Sequence, residues 1–380
     1  MKIAYCASST LPSRSANSIH VMKMSQAFSL NGCEVHLVVP NKVSQIEREK
    51  EQLYAYYGVK QCFFIKYLPW LPLKGKTLIF GLLAGRYAKK LNCNLFYSRD
   101  IIATYFATEQ GLPVVFESHF PITNSGHKII FFWLLSNILN KKNFQYLVVI
   151  THSLKSWYLN NYNISPERIV VAPDGADLPQ NMEIESSELF PKQRLERFRV
   201  GYCGHLYPGK GMEIISKLIE MCPDIEFHIV GGLENDIRYW QEQLKGYENV
   251  NFHGYKPHSE MFQIMQQMDV LIAPNLRSVI LSDQNDIGEW TSPLKIFEYM
   301  SAYKPIIASD IPVLKEVLDH ERNALLCDPD NLSSWKLALY HLRDNPILSQ
   351  KLAQNAYQDL KDQYNWKARA EKILSLDLIN

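Results

Sequence analysis

Short apolar segments alternate with longer amphipathic ones over two halves of this 380-residue chain, and this alternation restricts the fold more than any other feature. The first half opens with an apolar strand at residues 2–7, a polar loop at 13–18 and a helix that ends before Asn31-Gly32. A further strand follows at 34–40. Because parallel strands need a crossover connection, this order predicts a parallel sheet with right-handed crossovers.

The same order continues along the chain. In the first half the sequence predicts strands at 94–98, 113–116, 146–150 and 168–171, and helices at 44–57, 77–91, from 100, at 127–141 and at 153–160. In the second half it predicts strands at 199–203, 226–230, 249–252, 269–273, 305–308 and 323–326, and helices from about 209, at 233–245, at 257–267, from 293 and after 331. The pattern indicates an α/β protein of two doubly wound, Rossmann-like domains, with a cleft between them as the default ligand site.

The domain boundaries are predicted from a polar segment rich in Glu, Ser and Pro near the middle of the chain. We expect a first domain at 1–180, a linker at 181–197 and a second domain at 198–360. The last helices are long for one small domain, so residues 361–380 are expected to pack back on the first domain.

Charge and cysteine usage narrow the class of protein. Residues 1–180 hold 19 Lys/Arg and 10 Asp/Glu, whereas residues 181–380 hold 21 and 29. A basic first half favours contact with an anionic surface, either nucleic acid or membrane phosphate. The seven Cys are scattered without a C-x-x-C pair, which predicts isolated thiols rather than disulfides or zinc. No signal peptide is expected, and the longest apolar run, 129–135, is too short to span a bilayer.

The stretch at residues 291–300 has the pattern of an anion-binding helix start. Ser292 is a suitable N-cap, and Pro293 stands where a helix tolerates proline best. The first free backbone N–H groups, near Lys295, point outward at the positive end of the helix dipole. Glu298 follows one turn later, within reach of neutral hydroxyls beyond the anion. Phosphate at the helix start and a sugar hydroxyl on the carboxylate are the geometry expected for a nucleotide.

Four segments together resemble a known family: residues 8–10 with 18–21, 171–177, 201–211 and 292–310. In order and spacing they are similar to the retaining glycosyltransferases of family GT4, whose two facing Rossmann-like domains form the GT-B fold. The resemblance covers nearly the whole chain. It implies that the second half binds a UDP- or GDP-linked sugar and that the first half binds the acceptor.

The resemblance also implies roles for particular residues. The catalytic candidates are His119, Lys210 and Glu298. The donor-binding candidates are His205, Gly209, Tyr255, Glu289, Trp290, Thr291, Ser292, Pro293, Leu294 and Lys295. The candidates in the first loop or on the acceptor side are Arg14, Asn17, Ser18, Arg99 and Glu117, whereas Asp174 and Asp177 are expected to cap turns. No metal ion and no cofactor are implied, since Lys210 and the helix start take the role of a cation at the diphosphate.

Three positions depart from the family pattern. His205 stands where the family often has Arg, and a histidine titrates near neutrality. The family's first glutamate would fall on Trp290, so its role passes to Glu289, to Asp286 or to backbone amides. The Gly-Gly of the family's first loop is replaced by Ala16-Asn17.

The expected activity is transfer of a sugar to a lipid-linked acceptor or a growing surface glycan, such as lipopolysaccharide or capsule. In this family the leaving diphosphate takes the acceptor proton, so no protein base is required. Two alternatives remain open: a nucleotide-sugar epimerase of the same fold, and a catalytically silent sugar-nucleotide sensor or scaffold. A dinucleotide enzyme is disfavoured, because no G-x-G-x-x-G follows the first strand.

Two basic amphipathic segments bear on the location of the protein. One surrounds residues 78–83 with Lys74, Lys76, Arg86, Lys89 and Lys90, and the other flanks residues 129–135 with His127, Lys128, Lys141 and Lys142. They are either ordinary sheet-covering helices or a surface that docks on an anionic membrane. We expect a cytoplasmic protein with peripheral membrane contact and no nucleic-acid partner. Asp328-Pro329-Asp330 resembles a D-x-D metal motif but precedes a helix, so turn and capping roles are expected for it.

Overall fold

A computed structural model of the protein describes residues 1–42, 50–123, 129–179, 197–278, 288–290, 292 and 294–378. The chain forms two compact units, Met1–Asp174 with Trp366–Asn380, and Gly175–Asn365. We refer to them as the first unit and the second unit. The sequence predicted that the first domain ends at 180, whereas the first unit ends at 174. It predicted that the segment packing back on the first domain starts at 361, whereas the segment of the first unit starts at 366. The predicted linker lies almost wholly outside the described residues.

The first unit is built on a parallel sheet of seven described strands in the order β3-β2-β1-β4-β5-β6-β7. Its strands are β1 (Lys2–Cys6), β2 (Glu34–Asn41), β3 (Phe64–Pro69), β4 (Leu95–Ser98), β5 (Val114–Ser118), β6 (Phe144–Val149) and β7 (Ile169–Val171). Its helices are α1 (Ala16–Leu30), α2 (Lys50–Tyr56), α3 (Lys76–Lys90), α4 (Ile101–Glu109), α5 (Ile129–Leu139), α6 (His152–Asn161) and, from the end of the chain, α13 (Trp366–Leu374). Helix α13 packs against α1.

The second unit has a parallel sheet of six described strands in the order β10-β9-β8-β11-β12-β13. The strands are β8 (Phe198–Cys203), β9 (Ile225–Val230), β10 (Val250–Gly254), β11 (Val270–Ala273), β12 (Ile306–Ser309) and β13 (Leu325–Cys327). The helices are α7 (Met212–Met221), α8 (Glu234–Gln243), α9 (His258–Gln266), α10 (Leu294–Ser301), α11 (Leu332–Asp344) and α12 (Pro346–Asp359), which a π-helical segment, Leu360–Tyr364, extends. The predicted doubly wound α/β fold is confirmed.

The strand order places functional loops at defined positions. In the first unit the chain direction across the sheet reverses between β1 and β4, and in the second unit between β8 and β11. Ligands of doubly wound sheets bind at the carboxyl ends of strands beside such a reversal. The loops that follow β4, β5 and β8 therefore begin where ligand-binding residues are expected.

Most predicted elements lie within a few residues of the observed ones, with two informative exceptions. Strand β3 was not predicted, because it is an edge strand in which Phe64 and Tyr67 remain 60% and 39% exposed and no in-out alternation shows. Helix α7 begins at Met212 rather than near Gly209, because Gly209 and Gly211 have left-handed φ values of 86° and 112°. The first part of the predicted helix at 44–57 and the start of that at 127–141 lie outside the described residues.

All seven cysteines are free thiols, and six of them are buried. None of the helices in the described part of the chain combines the length and apolar character that crossing a bilayer requires.

The turn before α7 is close-packed, so a side chain added there is expected to destabilise the second unit. A Cβ atom on Gly211 would lie 2.4 Å from the carbonyl oxygen of Pro274, whereas Gly246, also at positive φ (98°), has open space around it. Both Gly→Ala substitutions strain the backbone, but only Gly211→Ala also forces a shift of packed atoms. We expect Gly211→Ala to destabilise the second unit by about 1–3 kcal/mol more than Gly246→Ala. Thermal unfolding of the two variants checks this; equal midpoints would contradict it.

Candidate functional site

A buried carboxylate, Glu117, is the centre of a polar cluster in the first unit. It stands near the end of β5, is 1% exposed, and its Oε1 lies 2.5 Å from His119 Nε2 and 3.0 Å from Arg369 Nη2. Its Oε2 accepts a hydrogen bond from the hydroxyl of Tyr97 on β4. One carboxylate thus joins a strand end, the following loop and the terminal helix.

Two further groups complete the cluster. His20 on α1 forms a hydrogen bond from Nδ1 to Asp174, at 2.8 Å, and its Nε2 lies 2.9 Å from Glu117 Oε1 without the direction of a hydrogen bond. Arg369 also donates to two backbone carbonyls, from Nε to Pro173 at 2.9 Å and from Nη2 to Ala172 at 3.1 Å. The terminal helix is therefore fixed to the segment that follows β7.

The charges of the cluster are set by burial and by neighbours. Burial alone would raise the pKa of Glu117, but the positive charge of Arg369 and the contacts with His20 and His119 hold it well below its usual range. Burial and the positive charge of Arg99 lower the pKa of His119 to about 4, although Glu117 acts in the opposite direction. At neutral pH the cluster therefore holds an ionised Glu117 beside a neutral His119.

This arrangement fixes which nitrogen of His119 carries the proton. A neutral imidazole has one donor and one acceptor, and Nε2 faces the ionised carboxylate, so Nε2 carries the hydrogen. Nδ1 is left as an acceptor and has no hydrogen-bond partner among the described residues. The His119 side chain keeps 11% exposure. It can therefore accept a hydrogen bond from a hydroxyl of a bound molecule.

The ligand atoms of His20, Glu117 and His119 lie within 4.8 Å of one another, which is close enough for one metal ion to contact all three. The donor set does not favour a metal ion. Arg369 donates to the same Glu117 oxygen that a cation would need, and His119 turns its N–H toward it. A hydrogen-bonded ion-pair cluster explains these contacts without a metal ion.

In the second unit, two lysines approach one another beside the end of β8. Lys210 lies in the loop before α7 and is half-buried, and the Nζ of Lys295, on the first turn of α10, is buried. Neither ammonium has a carboxylate partner in the part of the chain that the structure describes. Lys295 Nζ lies 4.6 Å from the centre of the Tyr202 ring, and Lys210 Nζ lies 5.4 Å from that of Tyr207.

Their environment disfavours the charged forms. Burial lowers the pKa of Lys210 to about 8. Burial, and then the positive charge of Lys210, lower the pKa of Lys295 well below its usual range. Loss of hydration and the charge of Lys210 also lower the pKa of His205, so this exposed histidine is not a second cation at neutral pH. A bound polyanion would reverse these shifts, and two unpaired ammonium groups are what such an anion needs.

Aromatic hydroxyls hold both lysines in place. The buried Tyr202 on β8 donates to the carbonyls of His205 and Lys210, at 2.6 and 3.0 Å, and so fixes both ends of the loop. The hydroxyl of Tyr299 on α10 accepts from the amide of Cys203 at 2.8 Å, which ties the helix to the end of β8. Burial and the negative charge of Glu298 raise the pKa of the Cys203 thiol, which places this half-buried carboxylate near the same strand end.

The predicted residues of the first loop lie around the start of α1 and the end of β4. Arg14 and Asn17 are exposed, whereas the hydroxyl of Ser18 is used within the loop, donating to the carbonyls of Ser13 and Ser15 at 2.8 Å each. Arg99 is half-buried, and its Nη1 has no hydrogen-bond partner among the described residues. Their contact with an acceptor or a phosphate stays a prediction.

The other donor-side candidates are spread over several loops. Gly209 donates its N–H to the Glu213 side chain at 2.9 Å, and Tyr255 is 42% exposed. Glu289 is exposed, Trp290 half-buried and Ser292 buried. Leu294 is half-buried at the first residue of α10, and Thr291, Pro293 and Asp286 lie outside the described residues. The structure thus brings Lys210, Lys295 and Glu298 together, and the replacement for the missing glutamate stays a prediction.

The sequence did not identify His20, Arg369 or Tyr97 as members of a site. Arg369 carries a recognisable signal, because Trp366, Arg369, Ala370 and Ile373 share one buried helix face. A charged residue in such a stripe requires a buried counter-charge. Nothing in the local sequence says that this counter-charge is Glu117.

Asp328 and Asp330 pair with one arginine instead of forming an open pair of carboxylates. Arg277 Nη2 lies 2.8 Å from Asp328, and its Nε lies 3.1 Å from Asp330. The carbonyl of Asp328 accepts from the Trp335 indole at 3.0 Å, and Asn331 caps α11. The turn role expected of the aspartates is confirmed by the bond from Asp330 N–H to Asp328 Oδ1 at 3.1 Å, whereas the expected capping role belongs to Asn331.

Two family models match the chain over most of its length. The family described as Glycosyltransferase Family 4 matches residues 18–180, and the family described as Glycosyl transferases group 1 matches residues 197–345. The first match covers every described strand of the first sheet except β1, and the second covers the whole described sheet of the second unit.

Individual relatives are distant but extend over much of the chain. An uncharacterised glycosyltransferase of Methanocaldococcus jannaschii is 21% identical over 366 residues, 88% of this chain and 87% of that protein. The UDP-Gal:alpha-D-GlcNAc-diphosphoundecaprenol alpha-1,3-galactosyltransferase of Escherichia coli is 24% identical over 263 residues, 66% of this chain and 63% of that enzyme. The crystal structure of Anabaena HepE in complex with UDP superimposes with a TM-score of 0.72 at 15% identity, covering 98% of each chain.

The lysine pair predicts a pH dependence of anion binding. A bound diphosphate raises the pKa of Lys210 above its free value of about 8, so affinity is highest below that pH and falls as pH rises through it. We expect affinity for a nucleoside diphosphate, UDP or GDP, to fall about tenfold or more between about pH 7.5 and about pH 9.5. Calorimetric titration measures this. Lys210→Met should flatten the decline above pH 8, and Lys217→Met, at a lysine 61% exposed on α7, should not; a pH-independent wild type would contradict the assignment.

Proposed function

Since the chain belongs to the GT4-type glycosyltransferases with a GT-B fold, we propose that it is a retaining enzyme. It moves a sugar from a UDP- or GDP-linked donor to a lipid-linked or surface-glycan acceptor. The observation that carries the proposal is the pair of ammonium groups of Lys210 and Lys295, held close together without a carboxylate partner in the described residues. A diphosphate supplies the negative charge that this arrangement lacks.

The donor occupies the second unit in this proposal. The two lysines neutralise the diphosphate as its bond to the sugar breaks, which stabilises the leaving group electrostatically. They take the role that a divalent cation has in other enzymes, so the reaction is metal-independent. Glu298, one turn beyond Lys295, binds ribose hydroxyls, and Glu289, Asp286 or backbone amides take the place of the family's first glutamate.

The chemistry requires no protein base. The leaving diphosphate accepts the proton of the attacking hydroxyl on the same face of the sugar, which retains the anomeric configuration. His119, neutral and with Nδ1 free to accept, positions a sugar hydroxyl. The contribution of the protein is then orientation, phosphate neutralisation and exclusion of water.

The acceptor is proposed to be presented at a membrane. The docking surface consists of exposed apolar side chains on α3 and α5, which are Leu78 (52% exposed), Ile79 (36%), Ile129 (55%), Ile130 (64%), Phe131 (38%) and Trp133 (57%). Exposed basic residues accompany it, which are Lys74, Lys76, Arg86, Lys89, Lys90 and Lys142. Charge complementarity favours anionic lipid headgroups. The diphosphoundecaprenol acceptor in the name of the Escherichia coli relative supports a lipid-linked class.

The donor assignment predicts the effect of two substitutions. Lys210→Ala removes the leaving-group cation and Glu298→Ala removes the ribose ligand, so each is expected to lower transfer at least about tenfold. Transfer from a labelled nucleotide sugar to membrane lipid extract measures the effect, with Lys217→Ala as the matched control. Near-normal turnover of both variants would contradict the site.

The two alternative functions give other results in the same assay. A nucleotide-sugar epimerase would release the epimer from the donor alone, without an acceptor. A silent sensor would bind the nucleotide sugar without transfer or hydrolysis. A thermal-shift panel of nucleotide sugars identifies the donor first, because a selective ligand raises the melting temperature by mass action.

The docking surface predicts sedimentation with anionic vesicles. Each basic residue near the surface contributes about 1 kcal/mol, and this attraction is screened by salt. We expect the protein to sediment with phosphatidylglycerol vesicles at low salt and less at high salt. Ile130→Glu should weaken binding, and Ile347→Glu, at an isoleucine 82% exposed in the second unit, should not. No binding at low salt, or equal effects of both variants, would argue against the surface.

A further inference from the structure

Arg369 is a buried charge that the proposed roles leave without a function. It is 3% exposed, lies on α13, and is nearly 200 residues further along the chain than the carbonyls of Ala172 and Pro173 that it contacts. An apolar residue of similar volume would satisfy a purely structural position at lower desolvation cost. The specific contact of the guanidinium is with Glu117, the carboxylate that His119 faces.

We propose that Arg369 is a positioning residue for the transfer reaction, which acts through Glu117 to hold His119 with Nδ1 available to the substrate. The proposal rests on the proposed function for the role of His119. It adds a residue outside the matched segments of both family models, which end at residues 180 and 345.

Three side chains lie around one carboxylate oxygen, Oε1 of Glu117. Glu117 Oε1 lies 3.0 Å from Arg369 Nη2, 2.5 Å from His119 Nε2 and 2.9 Å from His20 Nε2. The other oxygen is occupied by the Tyr97 hydroxyl. Arg369 and His119 thus each turn an N–H group toward Oε1, and Tyr97 turns its O–H group toward Oε2, and this keeps both oxygens as acceptors.

The charge of Glu117 depends on its neighbours. Burial opposes ionisation of this carboxylate, and Arg369 is the largest influence that favours it. The titratable and charged groups that face the cluster are Tyr5 on β1, His20 on α1, Tyr97 on β4, Arg99 after β4, His119 after β5, Asp174 after β7 and Arg369 on α13. Without Arg369, no guanidinium contacts the carboxylate in the described residues, so its pKa rises.

The tautomer of His119 depends on the charge of Glu117. A protonated Glu117 offers an O–H group as well as an acceptor, so Nε2 of His119 is no longer required to carry the hydrogen. The ring then also occupies the tautomer with Nδ1–H, which cannot accept from a substrate hydroxyl. At higher pH Glu117 ionises again, so His119 returns to the tautomer whose Nδ1 can accept a hydrogen bond.

Two variants separate this role from simple packing. Arg369→Met removes the charge and is expected to lower kcat about tenfold or more at pH 7, with recovery toward wild type as pH rises. Arg369→Lys keeps a charge and is expected to retain most activity and the wild-type pH profile. Lys367→Met, at a residue 63% exposed on the same helix, is the matched control. Glu117→Gln should lose activity without recovery at high pH.

Two further measurements keep failures distinguishable. Nucleotide binding by the second unit should remain normal in each folded variant, so a loss of transfer with intact binding is assigned to the first unit.

The imidazole nitrogen and carbon NMR chemical shifts of His119, in histidine-labelled protein, should show mainly Nε2–H in wild type and in Arg369→Lys, and a tautomer mixture in Arg369→Met. This readout needs no transfer activity, so it tests the coupling even if the proposed function fails. A wild-type tautomer and pH profile in Arg369→Met, or equal pH-independent losses in both arginine variants, would overturn the proposal.

Discussion

The buried ion pair between Arg369 and Glu117 is the interaction on which the first unit depends. It joins the end of the chain to the end of β5, and its members are 3% and 1% exposed. Breaking such a pair by removing one member costs about 3–5 kcal/mol, because the other charge stays buried alone. The same pair determines the state of His119, so stability and the geometry of the candidate site are linked through one carboxylate.

The second unit shows the opposite arrangement, in which charges are left unpaired. Lys210 and Lys295 are held near each other by the Tyr202 and Tyr299 hydroxyls, and burial disfavours their charged forms. Such a site lowers the stability of the unliganded protein, and in the proposed function a bound diphosphate recovers that free energy. The first unit therefore contains a completed electrostatic cluster, and the second contains lysines whose counter-charges are missing from the described residues.

The sequence predicted what depends on local pattern and missed what depends on long-range pairing. The alternation of strands and helices, the loop around Lys210 and the helix that carries Glu298 could all be predicted, because strand periodicity and glycine positions are local signals. Edge strand β3 was missed because its side chains are largely exposed and follow no alternation. The Arg369–Glu117 pair was missed because its members are 252 residues apart, and a single sequence does not specify buried partners over that distance.

The first unit is discontinuous in sequence, and this affects its synthesis. Residues 1–174 leave the ribosome before the whole of the second unit, and Trp366–Asn380 follow that unit. At about 5–20 residues per second, the roughly 190 intervening residues take about 10–40 s to translate. During that interval Glu117 has no Arg369 and the α1 face that receives α13 is uncovered. The nascent first unit therefore remains incomplete, and accessible to chaperones and to premature association, until α13 has been synthesised.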